Sequence, residues 1–287
     1  MTRRLFIFGL GYSGLEIAKL ARTQDWHVAG TCTTAEKAGR LRAAGIEAHP
    51  FDGTAALPPA ALANSSHVLC TIAPKETGDP ALGMCRALLG HATWLGYLST
   101  TGVYGDHGGG WVDEATPAEP GQARSIGRLA AEQAWCDLAR QTGATLDILR
   151  LPGIYGPGRS AIDQVRAGTA RRIDKPGQVF SRIHVEDIAH AALAAMARTG
   201  GAALWNVADD LPAPNSEVIA HAFALLGKPV PPAIPWEQAA PTMSPMARSF
   251  YMESRRVRND RMKRDLGVVL RYPTYREGLK AIVDAAG

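Results

Sequence analysis

The sequence predicts an α/β fold built on a doubly wound parallel sheet, and three observations lead there. Short apolar runs alternate with helical stretches through the first 207 residues. The apolar runs show little polar alternation, as strands buried on both faces require. A Gly-x-Gly-x-x-Gly turn joins the first apolar run to the first helical stretch.

Residues 5–8 are a compact apolar strand, and 12–22 carry helical spacing with Leu15, Ala18, Leu20 and Ala21 apolar. A second strand covers 26–31, and a helix over 36–44 stops at Gly45. Strands three to five fall at 46–51, 68–72 and 94–99, with a helix near 82–91 between the last two. A long helix over 125–142 precedes the strand 145–151. The stretch 154–159, IYGPGR, is a turn-rich loop; 185–197 is a helix and 203–207 a last strand. Each crossover is expected to be right-handed. Beyond Asp209 the prolines at 212, 214, 229, 231, 232, 235, 241 and 245 break the chain into short pieces, which favours a small C-terminal lobe. The expected division is a core over 1–155, rejoined by 183–208, and a lobe over 209–287 with the loop 156–182.

The composition of the 287 residues is 46% hydrophobic and 20% charged, which excludes disorder as the main state. A net charge of +4, from 31 basic and 27 acidic residues, is too mild to make nucleic acid or a membrane surface the expected partner. No run of about 18 apolar residues is present to span a membrane. Met1-Thr-Arg-Arg leads straight into a strand with no apolar signal region, so a cytoplasmic location is expected. Cys32, Cys70, Cys85 and Cys136 are scattered and read as reduced thiols, and no metal site is expected. There is no G-x-x-x-x-G-K-[ST] loop, H-E-x-x-H pair or G-x-S-x-G elbow. Nucleoside triphosphate hydrolysis, zinc peptidase and esterase activities are thereby disfavoured.

The turn Gly9-Leu-Gly11-Tyr-Ser-Gly14 makes the sheet Rossmann-type. Gly9 permits the tight turn, Gly11 lets a pyrophosphate approach the backbone, and Gly14 lets the helix pack on the strand. The helix N-terminus at Tyr12 and Ser13 offers free N–H groups to phosphate. The second strand ends in Gly30-Thr-Cys-Thr-Thr34, without the acidic residue that usually accepts the ribose hydroxyls of NAD. Thr33 takes that place, and Lys37 and Arg40 follow it. This favours NADP over NAD, with a merely solvated helix face as the alternative for the two cations.

Taken together, GLGYSG, LSTTGVYGD (98–106), VDEATP (112–117), RLAAE (128–132), LRLPGIYGPGR (149–159) and IHVEDIA (183–189) resemble the short-chain dehydrogenases/reductases of the extended, epimerase/dehydratase-like type. The departures described next resemble its atypical branch. The resemblance covers nearly the whole chain and implies that Thr100 polarises a substrate oxygen. It also implies a Tyr-x-x-x-Lys pair for proton transfer, but those positions hold Arg124 and Arg128. A guanidinium stays protonated and cannot act as a general base. Arg128 can still donate to ribose hydroxyls. Tyr104, Tyr155, His107 and His184 are the motif-placed candidates for a displaced acid, with histidine favoured by its pKa. Each also has a scaffold reading: His184 precedes a helix, and Ser99, Thr100 and Thr101 terminate a strand.

Among Arg150, Arg159 and Arg182, which the resemblance puts on substrate-side loops, Arg159 is the foremost substrate contact, beside Tyr104. The basic run Arg255, Arg256, Arg258, Arg261, Lys263 and Arg264 reads as a solvated helix capped by Asn259. The long helix 125–142 resembles the family's dimer-forming helix, which admits a homodimer. Two functions are expected from this set. One is an oxidoreductase or epimerase-like enzyme acting on a small polar or nucleotide-linked substrate. The other is a non-catalytic dinucleotide-binding redox sensor or regulator.

Overall fold

A computed structural model of the chain describes residues 3–285. Seven strands form one all-parallel sheet: β1 (Arg4–Phe8), β2 (His27–Cys32), β3 (Glu47–Pro50), β4 (His67–Cys70), β5 (Trp94–Thr100), β6 (Thr145–Leu151) and β7 (Ala202–Asn206). Their spatial order is β3-β2-β1-β4-β5-β6-β7. The order reverses between β1 and β4, and a crevice at the carboxyl ends of the strands follows from that reversal.

Side-chain alternation along β1 explains why both faces must be covered. Leu5 and Ile7 enter one core with α1 (Tyr12–Arg22) and a later helix, while Phe6 and Phe8 enter the other. The helix α2 (Ala35–Ala43) starts at Thr34, whose side chain accepts from the Lys37 N–H. The long helix α3 (Ala123–Thr142) sends Trp135 and Leu138 into the Phe6 face and ends on Gly143 in the left-handed region.

After β6 come α4 (Ala161–Arg166), α5 (Val185–Met196), α6 (Asn215–Leu225), α7 (Asp260–Leu266) and α8 (Tyr275–Asp284). Helix α5 lies against α1 on the Leu5 face. Helices α4, α6 and α8 bury a separate cluster around Ile162, Ile219 and Leu279. Helix α7 instead turns Met262 into the main core.

Three local expectations are refined. The helix near 82–91 is Pro80–Cys85, followed by a 3-10 turn at Arg86–Leu88. Asp79 caps its start through bonds from the Ala81 and Leu82 N–H groups, while Gly83 and Gly90 weaken it as a continuous helix. Ile154 and Tyr155, expected as loop, belong to the strand Gly153–Tyr155, which pairs in parallel with Arg182–His184. Asn259 does precede α7, but its side chain is not the cap; it donates to Ala208 O and Asp210 Oδ1 instead.

Candidate functional site

At the carboxyl end of β1 the chain turns sharply. Gly9 has a φ of +98°, and a Cβ there would stand 2.6 Å from Thr71 Oγ1. The Gly9 N–H donates to Thr31 Oγ1 (2.8 Å), and Thr71 Oγ1 donates to Gly9 O (2.7 Å). A Cβ at Gly14 would meet Gly9 O at 2.1 Å, so α1 lies directly on the turn. Gly11 differs: a Cβ there meets nothing within 4 Å. Gly11 is also the N-cap of α1 and supplies no side-chain cap. The first N–H groups of the helix therefore face open space, and the space admits a pyrophosphate.

Thr33 and Arg40 are exposed beside this turn and Lys37 is half-buried. Arg40 lies 3.9 Å from Glu36, an exposed pair of little energetic weight. The 154–159 loop closes the other side. Tyr12 donates to Pro157 O (3.1 Å), and the Arg159 guanidinium sits 5.7 Å from the Tyr12 ring centre.

Beyond the ends of β5 and β6 lies a cleft of about 880 Å³, large enough for a small organic ligand. Thr100, Arg124, Arg128 and Arg159 all line it. Thr100 ends β5, and its Oγ1 accepts from the Gly102 N–H at 3.1 Å. Arg128 donates to Leu98 O (2.8 Å) and lies 3.3 Å from the Tyr97 hydroxyl. Arg124 stacks its guanidinium 4.2 Å from the Phe250 ring centre and reaches Met246 Sδ at 3.4 Å.

The other expected residues lie elsewhere. Tyr104 is fully buried and donates to Asn206 Oδ1 (2.8 Å), so it supports the fold instead of contacting a substrate. Arg150 makes a bidentate pair with Glu132, at 3.0 and 2.7 Å, with both side chains buried; Glu132 also accepts from Ser99 Oγ. Arg150 is thus an internal counter-ion. His184 is 1% exposed and caps α5, accepting from the Glu186 N–H on Nδ1 (3.3 Å). Burial, helped by the Arg271 charge, pushes its pKa down to about 4, so at neutral pH it is uncharged and enclosed, unlike an acid facing the cleft. His107 binds Tyr104 O, and Tyr155 donates to Thr274 O.

The basic run divides: its helical part is solvated as expected, with Arg264 exposed, as is Arg258 just before it, while other members are tied inward. Arg255 bonds Gly105 O and Glu253, Arg256 bonds Gly109 O, and Lys263 pairs with Asp210. Sequence reasoning missed the far wall of the cleft: Phe180, Met243, Met246, Phe250 and Tyr251. Its only trace in the sequence is a set of large apolar residues in a proline-broken segment, where a polar loop is the ordinary expectation.

A doubly wound sheet with a glycine turn open at the N-terminus of α1 defines a dinucleotide-binding protein. The sequence pattern of the NAD dependent epimerase/dehydratase family matches residues 80–208. Over that stretch, which is under half of the chain, the sequence is similar to this family.

A solved structure of a functionally unknown conserved protein from Silicibacter pomeroyi is 45% identical. The alignment covers 99% of each chain, with a TM-score of 0.89. Protein YeeZ of Escherichia coli is 27% identical over 219 residues, 71% of this chain and 77% of its own. UDP-glucuronic acid 4-epimerase from Bacillus cereus, solved in complex with UDP-glucuronic acid and NAD, shares the fold. Its TM-score is 0.78 at 16% identity, over 98% of both chains. No described helix is long and apolar enough to cross a membrane.

Proposed function

We propose that the chain is an NADP-preferring enzyme of the epimerase/dehydratase-like oxidoreductase type, acting on a small substrate held in the cleft beside Thr100. The observation that carries this reading is that the loop beside the open Gly11 cradle also walls the cleft at the ends of β5 and β6: Tyr12 bonds Pro157 O, and Arg159, beside the Tyr12 ring, lines the cleft. Gly9, Gly11, Tyr12, Ser13 and Gly14 would hold the pyrophosphate. Thr33, Lys37 and Arg40 would meet the adenosine ribose and its 2′-phosphate, and Arg128 the nicotinamide ribose. When bound, the dinucleotide supplies or accepts a hydride.

The chain's own residues then orient the substrate. Thr100 donates its hydroxyl proton to a substrate oxygen while its lone pair stays on the Gly102 N–H. Arg128, anchored on Leu98 O, keeps a fixed positive charge at the cleft floor. Neither arginine moves a proton. The titratable groups that line the cleft are Tyr251 and Glu253, the latter paired with Arg255 at 3.0 Å. They are the groups in place for proton transfer. The core 1–155 with 183–208 would carry the dinucleotide, and 209–287 with 156–182 would close over the substrate. The alternative, a dinucleotide-binding sensor or regulator without turnover, is favoured by the same two arginines. A homodimer through α3 and a cytoplasmic location belong to the same reading.

Gly11→Val tests it. The substitution meets no protein atom at Cβ, so the variant is expected to melt within about 2 °C of the parent while losing at least about tenfold in NADP affinity by calorimetry. Equal affinity in parent and variant would remove the assigned cradle. A parent that prefers NAD would remove the NADP preference alone.

A further inference from the structure

The cleft has an unusual balance of charge. Five arginines line it, at 124, 128, 159, 182 and 255, against one carboxylate, Glu253. Three of the five are engaged within the protein. Arg128 holds Leu98 O, Arg182 holds Phe180 O and Ala213 O, and Arg255 holds Glu253. Arg124 and Arg159 make no ion pair among the described residues.

Arg124 is the more telling of the two. It sits in the first turn of the 20-residue helix α3, where the helix dipole is positive and no acidic residue offsets it. A cation there weakens the helix, so the placement does not serve stability. Its guanidinium lies between a phenyl ring and a thioether, surfaces that strip water without returning charge. That desolvation pushes its pKa down, with Glu253 only partly opposing. A planar, partly dehydrated cation of this kind binds a carboxylate in bidentate fashion.

The surfaces around it are apolar. Phe250 is 53% exposed and Met246 64%, and both line the cleft. Phe180 meets Tyr251 edge-on at 5.3 Å, and Trp236 stacks behind Tyr251 at 4.9 Å, so this wall is rigid. Met243 and Met246 supply soft, adaptable contact. Exposed large apolar side chains rimming a concave site mark a ligand groove.

We propose that the cleft takes an organic acid with a flat apolar body, an aryl or unsaturated acyl carboxylate. The carboxylate rests on Arg124 and the body on the Phe250–Met246–Phe180–Tyr251 wall. This inference rests on the cleft being the substrate site of the proposed function. It replaces the small polar or nucleotide-linked class with an amphipathic acid.

The test is calorimetric titration of the full chain, saturated with NADP, using cinnamate, methyl cinnamate and UDP-glucose as probes. Cinnamate is expected to bind at least about tenfold more tightly than its neutral ester or UDP-glucose. Arg124→Gln should lose about tenfold for cinnamate and leave the weak ester binding unchanged. Arg124→Lys should keep part of the preference, and Phe250→Ala should weaken acid and ester alike. Melting temperatures near the parent's will show that these exposed positions leave the fold intact. Equal binding of acid and ester, tighter binding of UDP-glucose, no effect of Arg124→Gln, or no binding of cinnamate at millimolar concentration overturns the proposal. Should the parent fail to bind NADP at all, the underlying site assignment fails first; intact NADP binding with any of those outcomes sinks the substrate class alone.

Discussion

The turn between β1 and α1 and the corner between β5 and α3 were built under different constraints. At the turn, backbone sterics dictate the residues. Gly9 needs a positive φ and Gly14 leaves no room for a methyl group, so the sequence is tied to the geometry. At the corner the scaffold is just as firm, with Ser99, Glu132 and Arg150 joined in a buried network beneath the cleft. Yet two of the residues that line the cleft from α3, Arg124 and Arg128, are arginines where the resemblance implies Tyr and Lys. The comparison teaches that sterics and burial fix the cradle and the buried network in this chain, while the solvent-facing side chains above them are free of both constraints.

The largest effect is expected from the corner's scaffold. Glu132→Leu leaves Arg150 buried without its partner, and such an uncompensated charge costs about 3–5 kcal/mol. Urea denaturation will measure it, and adding Arg150→Met should recover most of the loss. A cost below about 1 kcal/mol would mean that the network does not hold the corner together.

Next comes the exchanged chemistry. Positioned acid–base groups contribute about 10²–10⁴-fold in rate, so the parent should reduce simple aldehydes and ketones slowly even with NADPH bound. Arg124→Tyr with Arg128→Lys should raise that rate by about 10²-fold, and by more than either change alone, because the phenol needs the neighbouring ammonium to lower its pKa. NADPH consumption over a panel of carbonyl compounds is the measurement. Ordinary enzyme rates in the parent, abolished by Arg124→Ala, would show that the guanidinium itself carries the reaction.

A third effect sharpens the turn's side of the comparison. His184 borders the 154–159 loop, with Nε2 standing 3.4 Å from where a Cβ on Gly156 would lie. Its folded pKa of about 4 lies below the roughly 6.5 of an unfolded histidine. As pH falls the unfolded chain therefore takes the proton first. The stability linked to His184 is whole above pH 6.5, is lost progressively between 6.5 and 4, and levels off below that, a loss of roughly 3 kcal/mol. His184→Asn retains a capping acceptor but cannot titrate, so its unfolding free energy should fall less between pH 7 and 4. Parallel pH profiles for the two proteins would show that His184 is already charged in the fold.

Much of this was legible along the chain, in ways that depend on particular residues. The alternation of apolar strands and helices and the glycine spacing were readable because each reports local geometry. Gly9 and Gly14 are fixed by contacts within a few residues or with the adjoining strand. Tyr104 shows where such reading stops. Its motif suggested a substrate contact, but its hydroxyl meets Asn206, 102 positions away. Arg150 fails in the same way, since its partner Glu132 lies on another element.

By itself the sequence determined the doubly wound sheet, the open phosphate cradle and the replacement of the proton-transfer pair, because periodicity, glycine spacing and residue identity are properties of short segments. Only the tertiary structure decided which of the many arginines carry an unanswered charge, and that Phe250 and Met246 stand over Arg124. Those facts depend on which distant segments desolvate or neutralise a side chain, and a linear chain does not specify such pairings residue by residue.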